Sequence, residues 1–333
     1  MNHSTFKSFT FGIGLFFTLP LVYGNSSSLS SSDGTLYINK SKTHKVAPVK
    51  YGFHYEEIGM MGEGALHAEL IRNRSFEEAT PPAGLSVKDG LYENVPAPRV
   101  KEKKVFQADP LIGWTTYPLS YTPVFISRTD ENPMSGENKY SMLVNVTEDI
   151  ANHPDALILN RGYYGMNLKT DTSYRLSLFL KNRNYSAPLR VFLVDEWGQR
   201  VSNVIEVNVG NREWTKYTGE LKPEKNVRRG MFAIQPMSKG QFQIDVVSLF
   251  PSDTWNDGKS VFRKDIVQNL KEFSPSFIRF PGGCIVHGVN EETMYHWKKT
   301  LGPIENRPGQ WSKWAPYYRT DGIGYHEFYE LCE

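Results

Sequence analysis

The sequence predicts a multidomain protein in which an α/β unit is interrupted by an inserted antiparallel β-sandwich. Residues 77–250 are filled by short runs of alternating apolar residues, which are typical of antiparallel strands. Residues 251–333 change to the order helix, strand, loop and helix, which is typical of a parallel sheet or barrel. Hydrophobic residues make up 39% of the 333 residues and charged residues 22%, so the chain can bury more than one core.

The charge balance gives no electrostatic argument for a nucleic-acid partner or an anionic membrane surface. Lys and Arg total 38 and Asp and Glu total 36, a formal net charge of +2. Two cysteines, Cys284 and Cys332, are too few for a disulfide scaffold or a structural zinc cluster. His54 and His67 have no third ligand at a useful spacing, so neither a metal nor another cofactor is expected.

The N-terminal segment, residues 1–24, is typical of a secretory signal peptide. Lys7 precedes a mostly apolar stretch, Phe9–Leu21, which is shorter than the roughly 20 apolar residues that span a bilayer. The alternatives are an N-terminal membrane anchor or a buried helix. Residues 25–45 begin with a Ser-rich run and are expected to be a linker and N-terminal extension. We therefore expect a secreted or periplasmic protein that has no membrane contact after signal cleavage.

Residues 46–76 are expected to hold the first strand of the α/β unit and a loop. A helix-like run, Ala65–Arg72, comes after the loop. Four glycines mark the loop: Gly52, Gly59, Gly62 and Gly64.

Residues 77–250 are expected to form the sandwich, since about 170 residues suffice for one such domain. In the last strand run, Phe242, Ile244 and Val246 should share one face. The tryptophans of this region either pack in the core or offer aromatic faces to a polysaccharide: Trp114, Trp197 and Trp214. The clearest strand runs are Tyr174–Leu180, Leu189–Val194, Val204–Val209, Met231–Ile234 and Gln241–Val247.

Residues 251–333 are expected to continue the α/β unit. Apolar spacing predicts a helix over Arg263–Phe273 and a short buried strand over Phe277–Phe280. Pro281–Gly283 then turns the chain sharply, and another helix begins at His326–Glu333.

Three motifs carry a resemblance to a known family. They are Glu69–Glu77 (ELIRNRSFE), Asp245–Pro251 (DVVSLFP) and Arg279–Cys284 (RFPGGC). The chain resembles the α-L-arabinofuranosidases of glycoside hydrolase family 51, in the branch with an inserted carbohydrate-binding-like module. The resemblance implies that the chain is an N-terminal fragment of a (β/α)8 TIM barrel interrupted by the sandwich. It also implies a retaining hydrolase that releases terminal, non-reducing arabinofuranose from plant cell-wall polysaccharide or arabino-oligosaccharide.

Some positions depart from the family pattern. Ala65 stands where a second glycine is usual, His67 replaces a common tyrosine, and His287 stands where an acidic residue is usual. Gly59–Met61 replaces a common Asn-His-Ala run. These departures concern contacts to the sugar and the linkage that is cleaved.

Four residues are the candidate substrate-binding side chains. The resemblance implies that Glu56 accepts hydrogen bonds from arabinose hydroxyls and that Arg279 orients a catalytic carboxylate; a buried or structural ion pair is the alternative for each. Cys284 would lie near the sugar as a free thiol, although a disulfide with Cys332 is an alternative. Trp297 would form a wall of the cleft, as Trp311 and Trp314 would, or simply pack in a loop.

No catalytic residue is expected in this chain. A retaining glycosidase needs two carboxylates about 5 Å apart, and the chain holds roughly two of the eight β/α units of a barrel. Glu56 and Glu57 are adjacent on a strand and should face apart, whereas Asp321 and Glu327 are expected to be solvated or ion-paired. We therefore expect an incomplete arabinofuranosidase that lacks both catalytic glutamates and is inactive alone. The alternative is a non-catalytic carbohydrate-binding protein built on the sandwich.

Overall fold

The structure, a computed structural model, describes residues 51–79, 86–93, 106–288, 293–312 and 317–333, together with 41, 43, 45 and 291. The signal peptide predicted for residues 1–24 lies outside these ranges, as does most of the extension predicted for residues 25–45. Within the described ranges, no helix has both the length and the apolar character needed to cross a bilayer.

Strands dominate the first three quarters of the described chain. β1 spans Phe53–His54, and three short strands then form a small antiparallel sheet: β2 (Ser86–Lys88), β3 (Leu91–Glu93) and β4 (Phe106–Gln107). Eleven strands follow within residues 106–288: β5 (Trp114–Tyr117), β6 (Val124–Thr129), β7 (Ser141–Val146), β8 (Leu157–Asn160), β9 (Met166–Leu168), β10 (Tyr174–Asn182), β11 (Pro188–Val194), β12 (Ile205–Asn208), β13 (Thr215–Leu221), β14 (Val227–Gln235) and β15 (Gly240–Pro251). The five predicted strand runs are thereby confirmed.

These eleven strands form two antiparallel sheets that share one core. The first sheet has the order β13-β10-β15-β7-β6, and the second has the order β12-β11-β14-β8-β5, with β9 also paired to β14. One cluster of buried side chains takes members from both sheets, including Leu178 and Phe242 from the first and Val191 and Phe232 from the second. Sharing a core between two inner faces is the packing of a β-sandwich.

Strand β15 departs from the alternation predicted for it. Phe242 and Ile244 belong to the shared core as expected, but the core continues through Val247 instead of Val246. A β-bulge causes the change: the register with β10 shifts by one residue at this point, and Val246 adopts a φ of 42°. The prediction that Val246 shares a face with Phe242 and Ile244 was wrong.

The segment Ala65–Arg72 is not the predicted helix. One irregular helical turn, Gly62–Leu66, comes first, and the chain beyond it runs extended. Ala68 N donates to the carbonyl of Val261 over 2.8 Å, a partner that lies beyond the sandwich. The helix prediction was wrong because long-range hydrogen bonds satisfy this backbone in place of local ones.

The segment that enters the sandwich, Glu69–Ile71, lies beside the segment that leaves it, Ser248–Leu249. We call this place the seam. Leu70 N donates to the Leu249 carbonyl over 3.1 Å. The carboxylate of Glu69 accepts hydrogen bonds from Leu249 N (2.8 Å), Ile71 N (3.0 Å) and the Ser248 hydroxyl (2.5 Å). Burial raises the pKa of Glu69, although these donors and Arg74 act in the opposite direction.

Beyond the seam, helices alternate with short strands. The elements are α1 (Lys264–Glu272), β16 (Ile278–Arg279), α2 (Cys284–His287), β17 (Gln310–Trp311), β18 (Tyr318–Arg319) and α3 (Tyr325–Cys332). They confirm the helices predicted at Arg263–Phe273 and His326–Glu333 and the strand predicted at Phe277–Phe280.

β1 and β16 are parallel neighbours, although the whole sandwich separates them in sequence. Phe53 pairs with Ile278, and His54 pairs with Arg279. A second core packs α1 and α3 near this pair, and its buried members are Leu66, Phe262, Val267, Ile323 and Phe328. The pair is therefore the beginning of a parallel α/β layer, and it places the side chains that follow both strands at one edge.

The bulge in β15 generates a prediction about stability and pH. Asp245 is fully buried there, its Oδ1 accepts a hydrogen bond from Val246 N (2.7 Å), and its Oδ2 has no partner among the described residues. Burial raises the pKa of Asp245 well above its ordinary value, with a further contribution from Glu77. The folded state thus keeps a proton that the unfolded chain loses above about pH 4, so this residue lowers stability as the pH rises.

We expect Asp245→Asn to stabilise the protein at pH 7 by roughly 1.4 kcal/mol for each pKa unit that separates the folded from the unfolded carboxyl, because Asn takes up no proton on folding. The gain should shrink toward zero as the pH falls to about 4, because the native carboxyl is then protonated in both states. Denaturant unfolding from pH 4 to pH 8 measures it, with the exposed Asp253→Asn as the control. Equal pH dependence of the native chain and Asp245→Asn would contradict the assignment.

Candidate functional site

Glu56 lies just beyond the carboxyl end of β1, against the Pro281–Gly283 turn that follows β16. Its Oε1 accepts a hydrogen bond from Ile285 N over 2.9 Å. A Cβ added to Gly282 would lie 2.8 Å from Glu56 Cδ, and one added to Gly283 would lie 3.3 Å from Glu56 Oε2. Gly282 also adopts a φ of 140°. Gly282 is therefore required for the close approach of this carboxylate, and Gly283 leaves it additional room.

Arg279 and Cys284 converge on the same glycine. Arg279 ends β16 beside His54, and its Nη2 lies 3.9 Å from the position that a Cβ of Gly283 would occupy. Cys284 follows Gly283 as the first residue of α2, and both Cys284 and Cys332 are free thiols, as expected. The structure thus gathers three of the four predicted side chains around one turn, which we call the Gly283 turn.

Trp297 lies in a different setting. Its ring contacts Tyr325, with centroids 5.3 Å apart, and Tyr325 in turn contacts Tyr329 on α3. The Trp297 side chain is partly exposed, whereas Trp311 is buried in β17 and Trp314 lies outside the described residues. The described contacts of Trp297 are to this aromatic row and not to the Gly283 turn, so its role at a sugar stays a prediction.

Glu57 is buried, and its hydrogen-bond partners differ from those of Glu56. Its carboxylate accepts hydrogen bonds from Gly62 N (2.6 Å), the Tyr55 hydroxyl (2.7 Å) and the Tyr317 hydroxyl (3.1 Å). Burial raises the pKa of Glu57, and the nearby charge of Glu63 raises it further. The enclosed space beside these groups is about 20 Å³, enough for roughly one water and far too small for a sugar ring.

Glu63 connects three parts of the chain that are distant in sequence. It accepts hydrogen bonds from the Thr320 backbone (3.1 Å) and hydroxyl (2.8 Å) and from the Tyr163 hydroxyl of the sandwich (3.3 Å). His67 lies 3.8 Å away and is fully buried. Burial alone would raise the pKa of Glu63, but His67, Thr320 and Arg74 outweigh it and lower the pKa to about 2. This carboxylate is therefore an ionised structural anchor.

Asp321 and Glu327 are ion-paired, as expected. Arg319 Nε lies 2.9 Å from Asp321 Oδ1, and both side chains are buried. Arg307 holds Glu327 through two hydrogen bonds, Nη2 to Oε1 at 2.6 Å and Nη1 to Oε2 at 3.1 Å. Burial by itself would raise the pKa of Glu327, but Arg307 outweighs burial and lowers this pKa. These ion pairs stabilise the loops before α3. Within the described ranges the two carboxylates do not form a facing catalytic pair.

The sequence analysis missed the roles of Glu57 and Glu63 in this buried network. For Glu57 the signal was Gly62, because a Cβ there would collide with the Glu57 carboxylate and the Tyr55 hydroxyl. What the Gly283 turn offers chemically is a carboxylate that accepts hydroxyl hydrogens, a guanidinium and a thiol at the ends of two parallel strands. No group of three His, Cys, Asp or Glu in the described ranges is arranged to hold a metal ion.

Comparisons with known proteins show similarity to α-L-arabinofuranosidases. Residues 269–333 match the family described as α-L-arabinofuranosidase 1 domain, a span that includes Arg279, Cys284 and Trp297. α-L-Arabinofuranosidase 1 of Arabidopsis thaliana is 28% identical over 288 residues, which cover 85% of this chain and 38% of that protein. The extracellular exo-α-L-arabinofuranosidase of Streptomyces chartreusis is 26% identical over 296 residues, 85% of this chain and 31% of that one.

The structural comparison extends the likeness to the fold. The arabinose-bound MgGH51 α-L-arabinofuranosidase superposes with a TM-score of 0.71 and 25% sequence identity, over 88% of this chain and 43% of that one. The chain therefore spans well under half the length of these relatives. In sequence and in fold, it resembles part of an α-L-arabinofuranosidase of glycoside hydrolase family 51, which confirms the expectation drawn from its motifs.

Proposed function

We propose that this chain supplies the sugar-binding part of an α-L-arabinofuranosidase that releases terminal arabinofuranose from arabinose-containing polysaccharides. The convergence of Glu56 and Arg279 on the Gly283 turn carries the proposal. A carboxylate that accepts from two hydroxyls and a planar donor such as guanidinium suit a small, hydroxyl-rich sugar. The arabinose bound in the structural neighbour supports the same ligand class.

We further propose that β1 and β16 are the first two strands of a (β/α)8 barrel, interrupted by the sandwich at residues 77–250. The parallel pairing of β1 with β16 supports this arrangement. In such barrels the active site lies at the carboxyl ends of the strands, which is where Glu56 and Arg279 are found. Secretion, proposed from residues 1–24, is supported by the extracellular relative from Streptomyces chartreusis.

The catalytic pair itself is proposed to lie outside the 333 residues. Of the adjacent pair that follows the first strand, Glu57 is buried beside a cavity of about 20 Å³, and its carboxylate is occupied by a hydrogen bond from Gly62 N. A retaining mechanism needs two carboxylates about 5 Å apart across a bound sugar. We therefore expect the isolated chain to release no 4-nitrophenol from 4-nitrophenyl α-L-arabinofuranoside. Turnover that Glu56→Gln abolishes would overturn this part and make Glu56 a catalytic residue.

Arg279 should matter far more than an arginine that is remote from the Gly283 turn. In an active polypeptide that contains this chain, we expect Arg279→Ala to lower kcat/KM for the aryl arabinofuranoside about 100-fold, from loss of a preorganised charge. Arg279→Lys should recover only part of it, since an ammonium lacks the planar fork. Arg263→Ala is the matched control, because Arg263 pairs with the exposed Asp265 at the start of α1. Equal rates for Arg279→Ala and Arg263→Ala would show that Arg279 is only structural.

The two adjacent glutamates should separate binding from stability. We expect Glu56→Gln to raise KM about tenfold with little change in Tm, since it removes a charged acceptor for sugar hydroxyls. Glu57→Ala should destabilise the fold by about 2–4 kcal/mol, because three donors lose their buried acceptor. Steady-state kinetics and thermal unfolding measure the two effects. If Glu57→Ala changed KM while Tm stayed constant, the assignment of the two residues would be reversed.

A further inference from the structure

An exposed tryptophan, Trp197, lies on a turn whose backbone is hydrogen-bonded to a buried carboxylate. Trp197 is 72% exposed, whereas Trp114, another tryptophan of the sandwich, is buried against Phe76 and Phe232. Oδ1 of the buried Asp195 accepts hydrogen bonds from Trp197 N (3.1 Å) and Gln199 N (2.9 Å). The backbone that carries the indole is therefore held in place, so a ligand that stacks on the indole does not have to order the turn.

Two arginines line the same recess from the neighbouring strand. Arg228 and Arg229 lie where β14 bulges against β9, between the pairs Val227–Leu168 and Gly230–Met166. Bulges re-aim side chains, and both arginines are exposed. Neither forms a salt bridge with any of the described residues. They are accordingly open to an external anion.

Residues 195–197 and 225–229 together border an open cleft of about 580 Å³, which we call the Trp197 cleft. This volume lies within the range of ordinary small-ligand sites. Lys225 Nζ lies 3.0 Å from Asp195 Oδ2 and neutralises that carboxylate. Burial by itself would raise the pKa of Asp195. The hydrogen bonds from Lys225, Gln199 and Trp197 outweigh burial and lower the pKa of this carboxyl. Arg228 and Arg229 then outnumber Glu196, so the cleft favours a negative ligand.

We propose that the Trp197 cleft binds oligosaccharides that carry a carboxylate, such as uronic-acid-containing chains. An aromatic face packs on the apolar face of a sugar ring, and a guanidinium binds a carboxylate through two parallel hydrogen bonds. A protein partner would instead need a broader apolar patch than one indole among charged side chains. The proposal concerns the sandwich alone and does not depend on arabinofuranosidase activity.

The experiment is isothermal titration calorimetry on the 333-residue chain at low ionic strength. The acidic probes are trigalacturonic acid and 4-O-methylglucuronosyl xylotriose, which represent two sources of the same chemistry. Their neutral counterparts are fully methyl-esterified trigalacturonate and xylotriose. We expect at least one acidic probe to bind about tenfold more tightly than its neutral counterpart, and raising the NaCl concentration to about 0.5 M should weaken that binding. The acid that binds more tightly identifies the source.

Variants separate the stacking surface from the charge. Trp197→Ala should weaken acidic binding at least about tenfold, and Arg228→Gln combined with Arg229→Gln should abolish the preference for acid over its neutral counterpart. The matched control is Phe125→Ala, an exposed aromatic of the other sheet, which should bind as the native chain does. The proposal is overturned if no probe binds at about 10 mM, roughly the weakest affinity that the titration can measure. Equal binding of acidic and neutral probes, or unchanged binding by Trp197→Ala with native Tm, would also overturn it.

Discussion

The rest of the structure depends on the carboxylate of Glu69 at the seam. By accepting from Leu249 N, Ile71 N and the Ser248 hydroxyl, it holds the segment that enters the sandwich beside β15, the strand that leaves it. The chain can therefore resume the α/β unit next to where it left it. Further backbone bonds, such as Ala68 N to the Val261 carbonyl (2.8 Å), continue this contact beyond the seam, and β16 then pairs with β1 so that Glu56 and Arg279 share an edge.

A second constraint acts at the Gly283 turn, where side-chain volume is excluded so that a carboxylate can approach the backbone. Glu56 occupies the space that a Cβ of Gly282 would take. Beneath it, Glu57 and Glu63 are enclosed by hydroxyl and amide donors, which supply the hydrogen bonds that buried carboxylates require. The Gly283 turn and this buried pair of carboxylates are thus two separate polar features of the same region. Both depend on small residues at fixed positions.

Much of this fold follows from the sequence, and the failures have physical causes. Alternation located the strands of the sandwich, and period and proline placement located α1 and α3, because those signals are local. The helix expected at Ala65–Arg72 and the face expected for Val246 failed because partners distant in sequence decide both. At the site, motif resemblance indicated Glu56, Arg279 and Cys284. The contacts of Glu63 with Tyr163 and Thr320 required knowledge of the tertiary arrangement.

The paired ends of the sandwich also determine what the short parallel ladder costs in entropy. Joining β1 to β16 through a flexible loop of this length would carry a closure penalty that rises by about 0.6 kcal/mol for each doubling of length. A ladder of two residue pairs has little binding energy to set against such a penalty. A folded sandwich whose ends already touch acts instead as a short, stiff tether. The pairing of β1 with β16 is thus stable only when the sandwich is folded, although neither strand belongs to the sandwich.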